Sequence, residues 1–366
     1  MAVFREPTPS WSWRAATNLL RPLKLMRKVH AILLVLGVGF LGYLLWRIGV
    51  GNLWQELTRL GWGLIPIIIS EGVADFIHTV GWRHCLSGPH RKLALWPLFR
   101  IRMAGFAINY LTPTASVGGE LTKAALLASH HRGPEAVSAV LIGKLSFAFA
   151  HLLFVVVGAA LVLWRIELPR SLWWSMTISS VLVGGGMLAF LLMQQHGKLG
   201  VIIRWLAARR MGGHLMDRAA RSITEVDEAL KVFHRERPHD MWLSIGWHLL
   251  GYSVGIFQTW FFFRLLHEDT TWLLAAGAWF VGMWFDLLTF AVPMNMGTLE
   301  GSRIVVLRAL GYNAVLGMTY GLALRFAQMF WAGFGLLSYG LMATRLGGLP
   351  VNSAAAPERD GFQRNG

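Results

Sequence analysis

Apolar residues along this chain come in runs longer than the core face of a soluble helix requires. Ala31–Trp46, Phe147–Trp164 and Leu172–Met193 are almost uninterrupted. A helix needs about 20 mostly apolar residues to cross a bilayer. Full spans are therefore expected at roughly 30–48, 62–81, 138–164, 172–193, 242–265 and 317–342. Two further apolar segments, 98–111 and 273–292, run into breaks that contain glycine and proline. Each is followed by a short helical-looking stretch, 119–130 and 299–310. Each pair reads as a helix–break–helix hairpin that enters and leaves on the same side. The expected fold is an all-α polytopic membrane protein with about six full spans and two broken, re-entrant hairpins.

Composition strengthens this picture. The 366 residues are 55% hydrophobic and 14% charged, against about 25% charged in soluble domains. Eighteen Trp residues suit a protein with two membrane–water interfaces. A net charge of +15 could suggest nucleic acid, but the cations concentrate between apolar segments, which is a topology signal. The tail 1–29 carries six Lys/Arg and one acid, and the link 194–240 carries nine Lys/Arg against six Asp/Glu. The link 82–97 carries Arg83, Arg91 and Lys92 without an acid. Links 166–171 and 266–271 are poorer in cations. Every basic link and both termini then fall in the cytoplasm of a bacterial inner-membrane protein. Within the long link, Gly200–Arg210 has an apolar face flanked by arginines, which suits either the anionic inner leaflet or a solvated connector. The tail 346–366 is polar and reads as disordered.

A duplication spaced by 180 residues organises the chain. Pro113 is followed by Glu120 and then Lys123; Pro293 is followed at the same intervals by Glu300 and then Arg303. Gly118 and Gly119 lie within the first interval and Gly297 within the second. Trp62 and Trp242 each open the span before a copy, and Lys144 and Arg325 follow almost one offset apart. Repeat one covers about 62–164 and repeat two about 242–342. The topology above makes them inverted, an arrangement whose broken helices carry substrate sites in many transporters.

Proline removes a backbone donor, and glycine adopts conformations that a helix forbids. In hydrocarbon such a break persists only inside protein or beside a wet cavity. Helix N-termini at the breaks attract anions. Glu120 and Glu300 begin the short helices, and each is expected to pair with the cation one turn on, Lys123 or Arg303. Asn109, Thr112, Thr114 and Ser116 add polar groups at the first break, and Asn295 and Thr298 at the second. These either contact a substrate or satisfy frayed backbone. Glu71, Asp75 and His78 share one face of the second span, while His151, His248, Gln258, Asp286 and Gln328 are further intramembrane polar residues. Singly, each reads as glue between helices; together they suggest a hydrated interior.

No phosphate-loop, His-Glu-x-x-His or Gly-x-Ser-x-Gly motif occurs. The single cysteine, Cys85, excludes an intrachain disulfide and a multi-cysteine metal site. No enzyme activity, cofactor or metal is expected.

The segments NYLTPTASVGGELTKAALL and VPMNMGTLEGSRIVVLRALG resemble the lysylphosphatidylglycerol synthase transmembrane-region family, flippase-like membrane proteins. The resemblance covers about 30–345, and the second segment reads MNMGTLE where a glycine-rich loop is usual. Best-known members join this region to a soluble aminoacyl-transferase domain. No such stretch occurs in these residues, so the resemblance implies the lipid-translocating half alone, in envelope-lipid or hopanoid metabolism. It points to movement of an anionic or isoprenoid-type lipid along a path of Asn109, Thr112, Pro113, Ser116, Gly118, Gly119, Glu120, Lys123, Lys144, Pro293, Asn295, Gly297, Glu300, Arg303 and Arg325. The four cations would meet phosphate. Partners are then membrane lipids and a lipid-biosynthetic enzyme, with no nucleic acid. Two other readings fit the same residues: a non-transporting scaffold for a biosynthetic enzyme, and an intramembrane lipid-modifying enzyme using the two glutamates as acid and base.

Overall fold

The long apolar runs fold as helices because a backbone in lipid must satisfy its own hydrogen bonds. The structure, a computed structural model, describes residues 50–111, 117–130, 135–195, 235–289 and 292–346, with residues 43 and 46 besides. The helices are α1 Val50–Leu60, α2 Leu64–His84, α3 Leu95–Leu111, α4 Val117–His130 and α5 Glu135–Arg165. Then come α6 Arg170–Gln195, α7 Pro238–Leu265, α8 Trp272–Leu288, α9 Thr298–Ala309 and α10 Ala314–Leu346. No strand occurs among the described residues. The tails, nearly all of the first expected span, most of the link 194–240 with Gly200–Arg210, and Thr112, Pro113, Thr114 and Ser116 lie outside the described residues.

Three stretches are long and apolar enough to cross a membrane by length and composition: Thr58–His84, Ala136–Arg165 and Arg170–Ala189. They coincide with three of the expected spans, and the chain is a helical membrane protein. α7 and α10 have 28 and 33 residues, ample length at about 1.5 Å per residue. They turn small and polar residues inward. On α7, Ser244, His248, Gly251, Gly255, Gln258 and Thr259 are buried, while Trp242, Leu243, Leu250 and Phe257 are exposed. Apolar side chains thus face outward, as lipid requires, and close packing needs small residues inside. α1 was not expected from hydropathy: its 11 residues average close to neutral in polarity, and it rests on α10.

Two series of four helices follow the same order, α2–α5 and α7–α10. The second members, α3 and α8, both have 17 residues; the third members have 14 and 12, and the fourth 31 and 33. Contacts come in matching pairs: α3 lies on α10 as α8 lies on α5, and α7 lies on α5 as α2 lies on α10. The α2–α7 contact is the most extensive in the molecule. Along it His84 meets Asp240, His78 meets His248 and Ile67 meets Gln258, so the two helices run antiparallel.

One end of that pair is clamped by charge, outside the apolar stretch 242–265. Asp240 accepts hydrogen bonds from Arg91 at 2.8 and 3.0 Å and contacts His84 Nδ1 at 3.2 Å. Burial works to raise the Asp240 pKa, but the hydrogen bonds from His84 and Arg91, with their charges, outweigh it and hold the carboxyl below its ordinary value. A depressed acid stabilises the fold fully above its ordinary pKa of 3.8 and loses that contribution as pH falls through the folded value. Asp240→Asn should therefore lower the melting temperature in detergent at pH 7. The gap to wild type should close as the solution is acidified below that ordinary value.

Candidate functional site

The first hairpin is built by two glycines in contact. A Cβ on Gly119 would stand 2.1 Å from the carbonyl oxygen of Gly105, and one on Gly105 would stand 2.5 Å from Cγ of Lys123. Lack of a side chain at both positions lets α4 lie directly against α3. The start of α4 leaves free N–H groups, and Gly119 donates one to Asn109 Oδ1 at 2.7 Å. Asn109 is thereby a cap for α4, the backbone-satisfying role among the two anticipated.

Glu120, in the first turn of α4, forms an ion pair with Lys123 on its own helix. Its other oxygen lies 3.3 Å from Lys144 Nζ on α5. Lys123 Nζ also lies 5.6 Å from the Trp82 ring centroid, within cation–π range. Arg102 of α3 binds the Asp75 carboxylate of α2 and lies 5.8 Å from the Phe147 ring centroid. Glu120, Lys123, Lys144 and Arg102 line a cavity of about 120 Å³, with Trp82, Phe106 and Phe147 as its aromatic walls. Lys144 is the most accessible of the three cations, its side chain 39% exposed against 16% for Lys123 and 14% for Arg102. His248 also lines this space. Its Nδ1 is 3.1 Å from that of His78, and its Nε2 is buried without a partner.

The second hairpin repeats the plan and closes it. Asn109 and Asp286 are each the fifteenth residue of their helix, as Gly105 and Gly282 are each the eleventh. A Cβ on Gly282 would stand 2.9 Å from Arg303, as one on Gly105 would meet Lys123. Arg303 binds Asp286 through two hydrogen bonds of 3.1 and 2.7 Å. The expected pairing of Arg303 with Glu300 is thus replaced. An aspartate fifteen residues into α8 faces the guanidinium, where the first hairpin has only an amide.

Glu300 is instead bound by Arg325 of α10, through Nε to Oε1 and Nη2 to Oε2, the latter 3.0 Å. The same guanidinium donates to the carbonyl oxygens of Met294 and Asn295 at 3.1 and 3.0 Å and to Tyr110 Oη at 3.4 Å. Met294, Asn295 and Gly297 have φ of 56°, 46° and 73°, the left-handed region that turns the chain between α8 and α9. Two of these are not glycine, matching the glycine-poor MNMGTLE segment. Arg325 gathers the carbonyls that this turn leaves outside any helix. Glu300 is 0%, Arg303 2% and Arg325 6% exposed.

The site residues named from sequence therefore divide in two. Asn109, Gly119, Glu120, Lys123 and Lys144 converge on or directly behind the open cavity, with Gly118 in the turn before Glu120, where its carbonyl accepts from Thr122. Asn295, Glu300 and Arg325 form a closed network at the second turn, which Pro293 opens and in which Gly297 has positive φ, while buried Arg303 beside it is held separately by Asp286. Sequence reasoning passed over Arg102, Trp82, Phe147 and Tyr110. Arg102 carried a readable signal, a cation inside an apolar segment; the aromatics did not stand out among so many.

A family model described as the lysylphosphatidylglycerol synthase TM region matches residues 30–335. No curated protein and no solved structure matches the chain.

Proposed function

The chain belongs to the lysylphosphatidylglycerol synthase transmembrane-region family, and we propose that it is a translocase for an anionic or isoprenoid-type lipid in a bacterial inner membrane. The family ties the chain to membrane lipid. The observation that carries the transport reading is the cavity at the first hairpin. It holds Arg102, Lys123 and Lys144 against Glu120, inside a bundle whose outer face is apolar. A phosphate group on a lipid displaces Glu120 from Lys144, the accessible cation, while Trp82 and Phe147 flank the polar head. Acyl chains remain in the bilayer.

The two helix series form an inverted repeat in this reading. Antiparallel packing of α2 on α7 and the residue-for-residue match of the hairpins support it, as does the excess of cations in links 82–97 and 194–240. Those links and both termini lie in the cytoplasm. The two hairpins then enter from opposite sides, and the open cavity and the closed network are two states of one design. Alternation between them moves the headgroup across.

The experiment is lipid crossing in vesicles that contain the purified protein. A fluorescent anionic phospholipid placed in one leaflet should reach the other faster than in protein-free vesicles. Equal rates, with the protein folded, would remove the translocase reading.

A further inference from the structure

Glu71 is a half-buried carboxyl of α2, set against the buried Gln258 of α7, and it binds no cation among the described residues. Among the described residues no lysine or arginine lies within ion-pair distance of it. Its one hydrogen-bond donor is Gln258 Nε2 of α7, at 3.3 Å, and that amide also serves the carbonyl of Ile67 at 3.0 Å. The other acids described inside the bundle are paired: Asp75 with Arg102, Glu120 with two lysines, Asp286 with Arg303 and Glu300 with Arg325. An ionised carboxylate in a membrane interior without a partner is costly, and a proton removes the cost.

Its position is between the two hairpins. Asp75, one turn along α2, holds Arg102, which lines the open cavity. Arg303 of α9, paired with Asp286 beside the closed network, acts on Glu71 electrostatically, as do Asp75 and Arg102. Tyr320 of α10 also lies within reach of its charge, and its hydroxyl is held by Thr259 of α7 at 2.5 Å. His78 and His248 lie two turns along, beyond Asp75, with the Tyr252 ring 4.7 Å from His78 and the His151 ring 5.2 Å from Tyr252.

We propose that Glu71 is the proton-binding group of this protein and that each anionic headgroup crosses together with a proton. The assignment rests on the translocase reading above. A headgroup anion that enters beside Arg102 meets the negative field of Glu71, Asp75 and Glu120. Asp75 and Glu120 are balanced by the cations they bind. Glu71 is balanced only by a proton taken up from the side where the headgroup loads. Its protonation lowers the barrier for the anion, and release of both on the far side resets the carboxylate.

The test uses vesicles containing the full chain, with a fluorescent anionic phospholipid in the outer leaflet and a one-unit pH gradient of either sign. Crossing from the acid side should exceed crossing from the alkaline side by up to about tenfold, the ratio of proton activities. A proton-exchanging ionophore should abolish the difference. Glu71→Gln should cross at one rate whichever side is acid, while Glu71→Asp, which keeps a carboxyl, should retain a gradient response. Wild-type rates that ignore the gradient would overturn proton coupling and leave translocation standing. A full gradient response in Glu71→Gln would overturn the assignment to this residue. No crossing above protein-free vesicles in any gradient would overturn the translocase reading, and the coupling with it.

Discussion

Arg325→Met should leave little folded protein in the membrane. The guanidinium touches both oxygens of Glu300 and the carbonyls of Met294 and Asn295. Methionine fills similar space and supplies none of those donors. The variant leaves a fully buried carboxylate without its partner and takes a donor from two turn carbonyls. Breaking a buried ion pair by removing one member costs about 3–5 kcal/mol, a large part of the 5–15 kcal/mol or so that holds a typical protein folded. Arg325→Lys keeps the charge but lacks the planar fork, so it should recover only part of the loss. Adding Glu300→Gln to Arg325→Met removes the uncompensated charge and should restore some stability, though not the carbonyl contacts. Thermal unfolding in detergent, with size exclusion as a check on folding, reads all three. Arg325→Met melting at the wild-type temperature would show that the closed network does not hold the second hairpin.

That network also marks how far the sequence could be read. The hairpins were legible because a proline, an acid and a cation recur at one spacing with glycine in the interval, and because lipid forbids an idle break in a helix. Glu120 with Lys123 was legible because three residues apart on a helix is one turn. The same rule misassigned Arg303, whose partner sits on the preceding helix. Three-residue spacing brings two side chains to one face, but α8 supplies Asp286 to that face and competes with Glu300. Spacing along one helix cannot reveal what a neighbouring helix presents. Near-identity of the two motifs likewise hides their difference in state. Lys144 and Arg325 hold nearly matching places, yet Lys144 lines a cavity with its side chain 39% exposed, while Arg325 is 6% exposed and bound to Glu300 and the turn carbonyls.

The opposite behaviour is expected at the first hairpin, where Glu120→Gln should fold and transport more slowly. Glu120 shares its charge between Lys123 and Lys144 and so, in the proposed translocase, stands where a headgroup phosphate would bind. It is a competing anion built into the site. Without its charge, Lys144 and Lys123 are free to hold phosphate, and affinity for an anionic headgroup should rise about tenfold, or ~1.4 kcal/mol. A carrier must also let go, and binding too tight to release slows passage. Crossing should therefore fall by a similar factor, about tenfold, although binding improves. Lys144→Gln should weaken binding and crossing together, because it removes the accessible cation. A purely structural role for the Glu120 pair would lower melting temperature in both variants and would not split affinity from rate in opposite directions. Binding is read by retention of anionic phospholipid through detergent exchange, and crossing by the vesicle assay. Glu120→Gln that folds, binds and transports as wild type does would mean that the headgroup passes somewhere other than this cavity.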